Sequence, residues 1–167
     1  MNKAVCSLLL FFLFGCSNQS DENFALPDNA KSLISGDSSK TWKIARRFNN
    51  GTRMNMGDCF LAHRQTFSGS NTFTTSSSGR SDCGNDMVGK WSLARDENGT
   101  AYIKLESEQI PEMLNMKDDF KYFRIKALSD TLMVLQFNHA QTTKKTTTLV
   151  DYFVPEGAKV DDREFHW

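Results

Sequence analysis

From Lys40 to Val154 the chain alternates apolar and polar residues in short runs rich in β-branched and aromatic side chains. A period of two marks a strand with one buried face, because successive side chains point to opposite faces. The pattern predicts eight strands, at about 40–48, 58–67, 71–77, 87–94, 100–106, 120–128, 131–138 and 146–154. Turn residues separate them: Asn49-Asn50-Gly51, Ser68-Gly69-Ser70, Asp96-Glu97-Asn98-Gly99 and Ser129-Asp130. Asn98-Gly99 is a strong hairpin signal, since both residues tolerate the left-handed backbone of a tight turn. Short links make successive strands antiparallel neighbours. A meander of about eight strands closes into an up-and-down barrel, which removes its exposed edges.

The alternation also predicts an inward face. Trp42 and Ile44 share it in the first strand, Trp91 and Leu93 in the fourth, with Gly89 two residues earlier. Ile103, Leu105, Phe123 and Ile125 continue it. The last two strands are ambiguous. Leu132, Val134 and Gln136 compete with Met133, Leu135 and Phe137, and Val150, Tyr152 and Val154 compete with Leu149 and Phe153. Segment 107–118 is a longer connection carrying Ile110, Pro111, Met113, Leu114 and Met116. It reads either as a short helix plugging the barrel or as a flexible apolar rim. A turn centred on Gly69-Ser70 pairs Phe67 with Thr72 and sets Cys59 near Arg80, three residues short of Cys83.

Ahead of the strands, Lys3 is followed by an apolar run, Ala4 to Phe14, broken only by Ser7. The run is too short to span a bilayer core, which needs roughly 20 residues. It has the layout of a removable signal. Its end, Leu13-Phe14-Gly15-Cys16, resembles the lipobox of bacterial lipoproteins. That resemblance implies cleavage before Cys16, a diacylglycerol on its thiol and an acyl anchor on a membrane, with the outer membrane expected. The expected layout is a signal peptide at 1–15, a lipidated cysteine and flexible tether at 16–39, and the barrel with a short tail at 40–167. The tether is polar, and 25–34 has the makings of a short helix.

Four cysteines then divide simply. Cys6 leaves with the signal and Cys16 carries lipid, so Cys59 and Cys83 remain in a compartment that permits disulfides. A bond between them closes a loop of roughly 25 residues, worth about 3 kcal/mol in the chain-entropy description. Two free thiols are the alternative.

The barrel region resembles the lipocalin-like lipoproteins of the Bacteroidetes type. The resemblance rests on Lys40-Thr41-Trp42, on Cys59-Phe60-Leu61 and Phe67, and on Gly89-Lys90-Trp91-Ser92-Leu93. Tyr122-Phe123-Arg124-Ile125 and the run Asp130 to Leu135 belong to it too. Lys40 stands where many lipocalins have the glycine of Gly-x-Trp. The resemblance implies a cup-shaped barrel, in some members with a small-ligand cavity.

Net charge is zero and the basic pairs Arg46-Arg47 and Lys144-Lys145 are isolated, so no nucleic-acid partner is expected. The pairs read as solvated strand ends. His63, His139 and His166 lack acid or cysteine neighbours at telling spacings. No phosphate loop, HExxH or GxSxG occurs. No catalytic residue, metal or cofactor is expected. The leading expectation is a monomeric, anchored, non-enzymatic protein binding a small apolar or amphipathic ligand. Trp42, Trp91, Ile103, Leu105, Phe123 and Ile125 would line the cavity, Met113 and Met116 its mouth, and Tyr102 or Arg64 its rim. The alternative is a surface interaction or envelope module with a packed, ligand-free barrel.

Overall fold

The structure, a computed structural model, describes residues 24–140 and 146–166. The expected signal peptide, Cys16 and the first part of the expected tether lie outside these residues, as does Lys144-Lys145. Among the described residues nine strands form one antiparallel sheet: β1 (Ser39–Asn49), β2 (Thr52–Arg53), β3 (Arg64–Ser68), β4 (Thr72–Ser76), β5 (Val88–Arg95), β6 (Ala101–Glu106), β7 (Phe120–Leu128), β8 (Met133–Ala140) and β9 (Thr146–Pro155). Each of β3 to β9 pairs with its chain neighbour, and β9 returns to β1. Eight of the strands close the barrel. The short β2 only folds back on the end of β1, through Asn50 and Gly51 in the left-handed region (φ 47° and 81°).

Among the described residues three short α-helices decorate it: α1 (Ala30–Ser35), α2 (Asp58–Ala62) and α3 (Ile110–Leu114). The folded body therefore starts before Lys40. Phe24 and Leu26 pack against the core, and α1 sends Ile34 fully into it. The strand expected at 58–67 is half helix, because Gly57 and Asp58 open α2 and only Arg64–Ser68 pair as strand. Segment 107–118 contains a short helix, α3, with Ile110 buried and Met113 exposed.

The end of the barrel covered by α1 is solid. Trp42, Trp91, Phe67 and Phe73 are all buried there, with the Phe67 and Trp91 rings edge to face at 5.3 Å. A buried indole must place its N–H. Trp42 Nε1 donates to the Ile34 carbonyl at 2.8 Å, and Trp91 Nε1 to the Ser68 carbonyl at 3.0 Å. Lys40 stands over the Trp42 ring at 4.2 Å and donates Nζ to the Leu33 and Asp130 carbonyls. It thus ties α1 to the β7–β8 turn.

One register differs from the expected one. Asn71 is left-handed (φ 66°) and its N–H bonds the Ser68 carbonyl, which lengthens the β3–β4 loop by one residue. Phe67 consequently faces Phe73 rather than Thr72. In β1 a bulge between Ile44 and Arg46 inserts Ala45. Above it the parity of the strand reverses. Trp42 and Ile44 point inward below, and Arg47 and Asn49 point inward above. A bulge bends a strand and re-aims its side chains. Here it turns Arg47, expected in solvent, into the barrel.

Candidate functional site

Above the aromatic floor the barrel is hollow. The cavity measures about 530 Å³. Its walls come from inward positions of most strands: Leu105 of β6, Phe123 of β7, Phe137 of β8, Leu149 and Phe153 of β9. Its mouth is formed by the ends of the strands farthest from α1. Phe60 of α2, and Ile110, Met113 and Leu114 of α3, fold over this mouth. Met113 is exposed there, an apolar side chain left facing solvent.

One face of the cavity is charged. Arg47 and Asp151 sit opposite each other across β1 and β9. The guanidinium donates Nε to Oδ1 at 2.6 Å and Nη2 to Oδ2 at 2.5 Å, a fork on a carboxylate that is almost fully buried. Burial raises the Asp151 carboxyl above its ordinary range, with Arg47 and Lys121 pulling the other way. The Arg47 guanidinium also lies 4.5 Å from the Phe60 ring and 5.9 Å from Phe137. Lys121, inward on β7 and only 8% exposed, holds Nζ 4.7 Å from the Phe137 centroid and 5.6 Å from Phe123. Burial lowers its pKa, Arg47 lowers it further, and Asp151 opposes. Among the described residues its ammonium makes no hydrogen bond and no ion pair.

His63, which ends α2, also lines the cavity. Its imidazole is held down to about 4, first by burial and then by the Arg47 and Arg64 cations. It is therefore neutral at pH 7, a hydrogen-bonding group without charge. His139 stands exposed at the mouth.

The mouth is braced covalently. Cys59 of α2 and Cys83, in a single 3₁₀ turn at Ser81–Cys83, form a disulfide with Cα atoms 5.2 Å apart. The bond joins a helix to a turn, because neither cysteine lies in a strand. The tail adds a second brace. Arg163 Nε donates to the Ile44 carbonyl at the bulge (2.6 Å), and its Nη2 to the Leu61 carbonyl of α2 (2.7 Å).

Of the eight residues expected around the ligand, Leu105, Met113 and Phe123 line the cavity. Trp42, Trp91, Ile103 and Ile125 lie in the packed core outside the lining, and Met116 packs against that core. The indoles are too large and too well bonded to leave space beside them, so they make the floor. Tyr102 points outward and donates its hydroxyl to Asp96. Arg64 also points outward, pairing with Glu156. Sequence reasoning missed Arg47, Asp151, Lys121 and His63. For Lys121 a signal existed, since it shares the parity of Phe123 and Ile125. Among the described residues no three His, Cys, Asp or Glu come together as a metal site. No described helix is long and apolar enough to cross a membrane.

An antiparallel eight-strand barrel, plugged at one end and hollow at the other, defines a cup of the lipocalin type. Residues 39–135 match the lipocalin-like domain family, and the chain belongs to it. The chain is similar to the crystal structure of a lipocalin-like protein from Bacteroides uniformis, at 14% identity over 70% of this chain and 98% of that one (TM-score 0.46). It is also similar to bovine odorant-binding protein in complex with its natural ligand, at 17% identity over 86% and 83% of the chains (TM-score 0.38). No curated protein matches its sequence.

Proposed function

We propose that the protein binds a small apolar or amphipathic molecule inside the barrel and is tethered to the outer membrane through acyl chains on Cys16. The cavity carries this reading. At about 530 Å³ it falls within the roughly 300–1,000 Å³ of small-molecule sites. Its walls are mainly aromatic and aliphatic, with a few convergent polar groups, which is the composition such sites share. A barrel acting only as a packed surface module has no use for this space, and filling it with side chains would stabilise the fold. The reading gives the cavity a binding role, in which the Asp151 carboxylate has both oxygens on Arg47. The lipobox-like Leu13-Phe14-Gly15-Cys16 supports the anchor.

Two measurements test the reading. Native mass spectrometry of the protein taken from envelopes should show a reproducible non-covalent adduct. A bare mass, persisting after incubation with envelope lipid extract, would overturn the binding role. Metabolic labelling with an alkyne palmitate should mark the wild-type chain and leave Cys16→Ala unlabelled. Equal labelling of both would remove the anchor.

A further inference from the structure

Resting on the binding role proposed above, the charges inside the cup narrow the ligand class. Among the described residues the cavity wall carries Arg47, Lys121 and Asp151 as its Asp, Glu, Lys and Arg content. Two cations face one anion. The Asp151 carboxylate is committed to the Arg47 fork through both oxygens. Lys121 is the surplus charge. Its Nζ lies beside the faces of Phe123 and Phe137, with the Arg47 and Asp151 charges acting on it but no hydrogen bond or ion pair among the described residues, although the residue is more than nine-tenths buried. A buried ammonium without an acceptor is expensive, since the ring faces replace little of its hydration. His63 and Gln65 line the same space as neutral hydrogen-bonding groups. Leu105, Phe153, Leu149 and Ile110 belong to its apolar walls, and Asn49, Thr75 and Thr147 add uncharged polar groups.

We propose that the cup takes a single-chain amphiphile with an oxyanion head, a carboxylate or a phosphate monoester. The head sits on Lys121 Nζ beside the Arg47–Asp151 pair, and the alkyl chain lies along the aromatic and aliphatic walls. The ammonium then gains the acceptor that the protein withholds, and the cavity becomes electrically balanced. A neutral chain of the same length leaves Lys121 unpaired, and a cationic one adds repulsion from Arg47 and Lys121. The selectivity is thus a difference between ligands that bury the same apolar area.

The test uses the chain from Ser17 to Trp167, which lacks both the apolar run and the acylated cysteine, keeps every described residue and needs no detergent. A neutral naphthylamine dye reports occupancy by its emission. Dodecanoate, dodecyl phosphate, dodecanol and dodecyltrimethylammonium then compete with it. One or both anions should displace the dye at concentrations at least about tenfold below dodecanol, equivalent to about 1.4 kcal/mol. Dodecyltrimethylammonium should be weakest. Whichever anion leads identifies the head group. Lys121→Met should bring anion and alcohol to within about threefold of each other while dye binding persists, and Lys121→Arg should keep the preference. Dodecanol competing as well as both anions overturns the proposal and leaves the binding role standing. A dye and four chains that all fail to bind overturn both. Should Lys121→Met not fold, the wild-type series decides alone.

Discussion

Arg47→Met removes both donors from the Asp151 carboxylate and leaves it buried without a partner. Asp151 is 3% exposed at its side chain and Arg47 14%, so the pair is held largely out of water. Breaking one half of a buried pair typically costs about 3–5 kcal/mol. Lys121 shares the Phe137 ring with Arg47 and can swing part of the way toward the carboxylate. The expected loss is therefore at the low end, about 3 kcal/mol. Asp151→Leu fails for the opposite reason, leaving Arg47 and Lys121 to repel each other in a cavity without an anion. The double change Arg47→Met with Asp151→Leu should recover most of the stability, because apolar side chains of similar volume often replace a buried pair at no net loss. Urea unfolding followed by the fluorescence of Trp42 and Trp91, both in the floor, reads these values through the midpoint at constant slope. The cycle should yield a coupling of several kcal/mol. The deficit of Arg47→Met should also shrink as pH falls. Burial already raises the Asp151 carboxyl above its unfolded value, and loss of Arg47 raises it further. The folded state then takes up a proton before the unfolded state does, which favours folding in acid. Single variants within about 0.5 kcal/mol of wild type, or a double variant no better than the sum of the singles, would refute the reasoning.

His63 is held down to about 4 from an ordinary 6.5, so the unfolded chain protonates first. Stability should fall by up to about 3 kcal/mol as pH drops from 6.5 to 4, and His63→Gln should remove that part of the slope in urea titrations. Replacing Cys59 and Cys83 together by serine opens the loop they close and should cost about 3 kcal/mol, read as a lower urea midpoint; an unchanged midpoint contradicts it. Gly89→Ala places a Cβ 2.1 Å from the Glu106 carbonyl oxygen and 2.7 Å from the Phe73 ring. Neither yields cheaply, so the variant should lose at least about 2 kcal/mol, and a stable, unshifted Gly89→Ala would contradict that geometry.

Much of the barrel can be read directly from alternation. Trp42, Trp91, Ile103 and Ile125 face inward as their period demands, and turn chemistry orders the strands. What alternation could not supply was height. Side chains at the floor and at the wall have the same parity, and only their size and bonding separate packed core from cavity lining. The ambiguity in β9 has a related cause: its inward face, Leu149, Asp151 and Phe153, is interrupted by an acid, so the outward valines looked equally apolar. Arg47 was hidden for another reason. Period-two reasoning carries Trp42 and Ile44 on to Arg46, and a single inserted residue, Ala45, moves the inward position to Arg47. Local sequence carries no clear sign of such an insertion. The Cys59–Cys83 pairing followed from counting cysteines, although the strand setting expected for it became a helix and a turn.

The barrel has two poles, and the chain approaches at the one that is shut. Phe24, Leu26 and α1 lie against the Trp42 end, with Arg95 holding the Leu26 carbonyl, whereas the opening is framed by α2 and α3 at the far end. A cup held at its base stands upright. On the anchored reading, the rim then looks outward from the bilayer instead of down onto it. Cargo would arrive and leave through the aqueous phase, so exchange should follow the concentration of free monomers and slow where amphiphiles are sequestered in micelles or vesicles. The protein would serve as a dipper into the surrounding fluid, with the membrane beneath it serving as a mooring and not as its source.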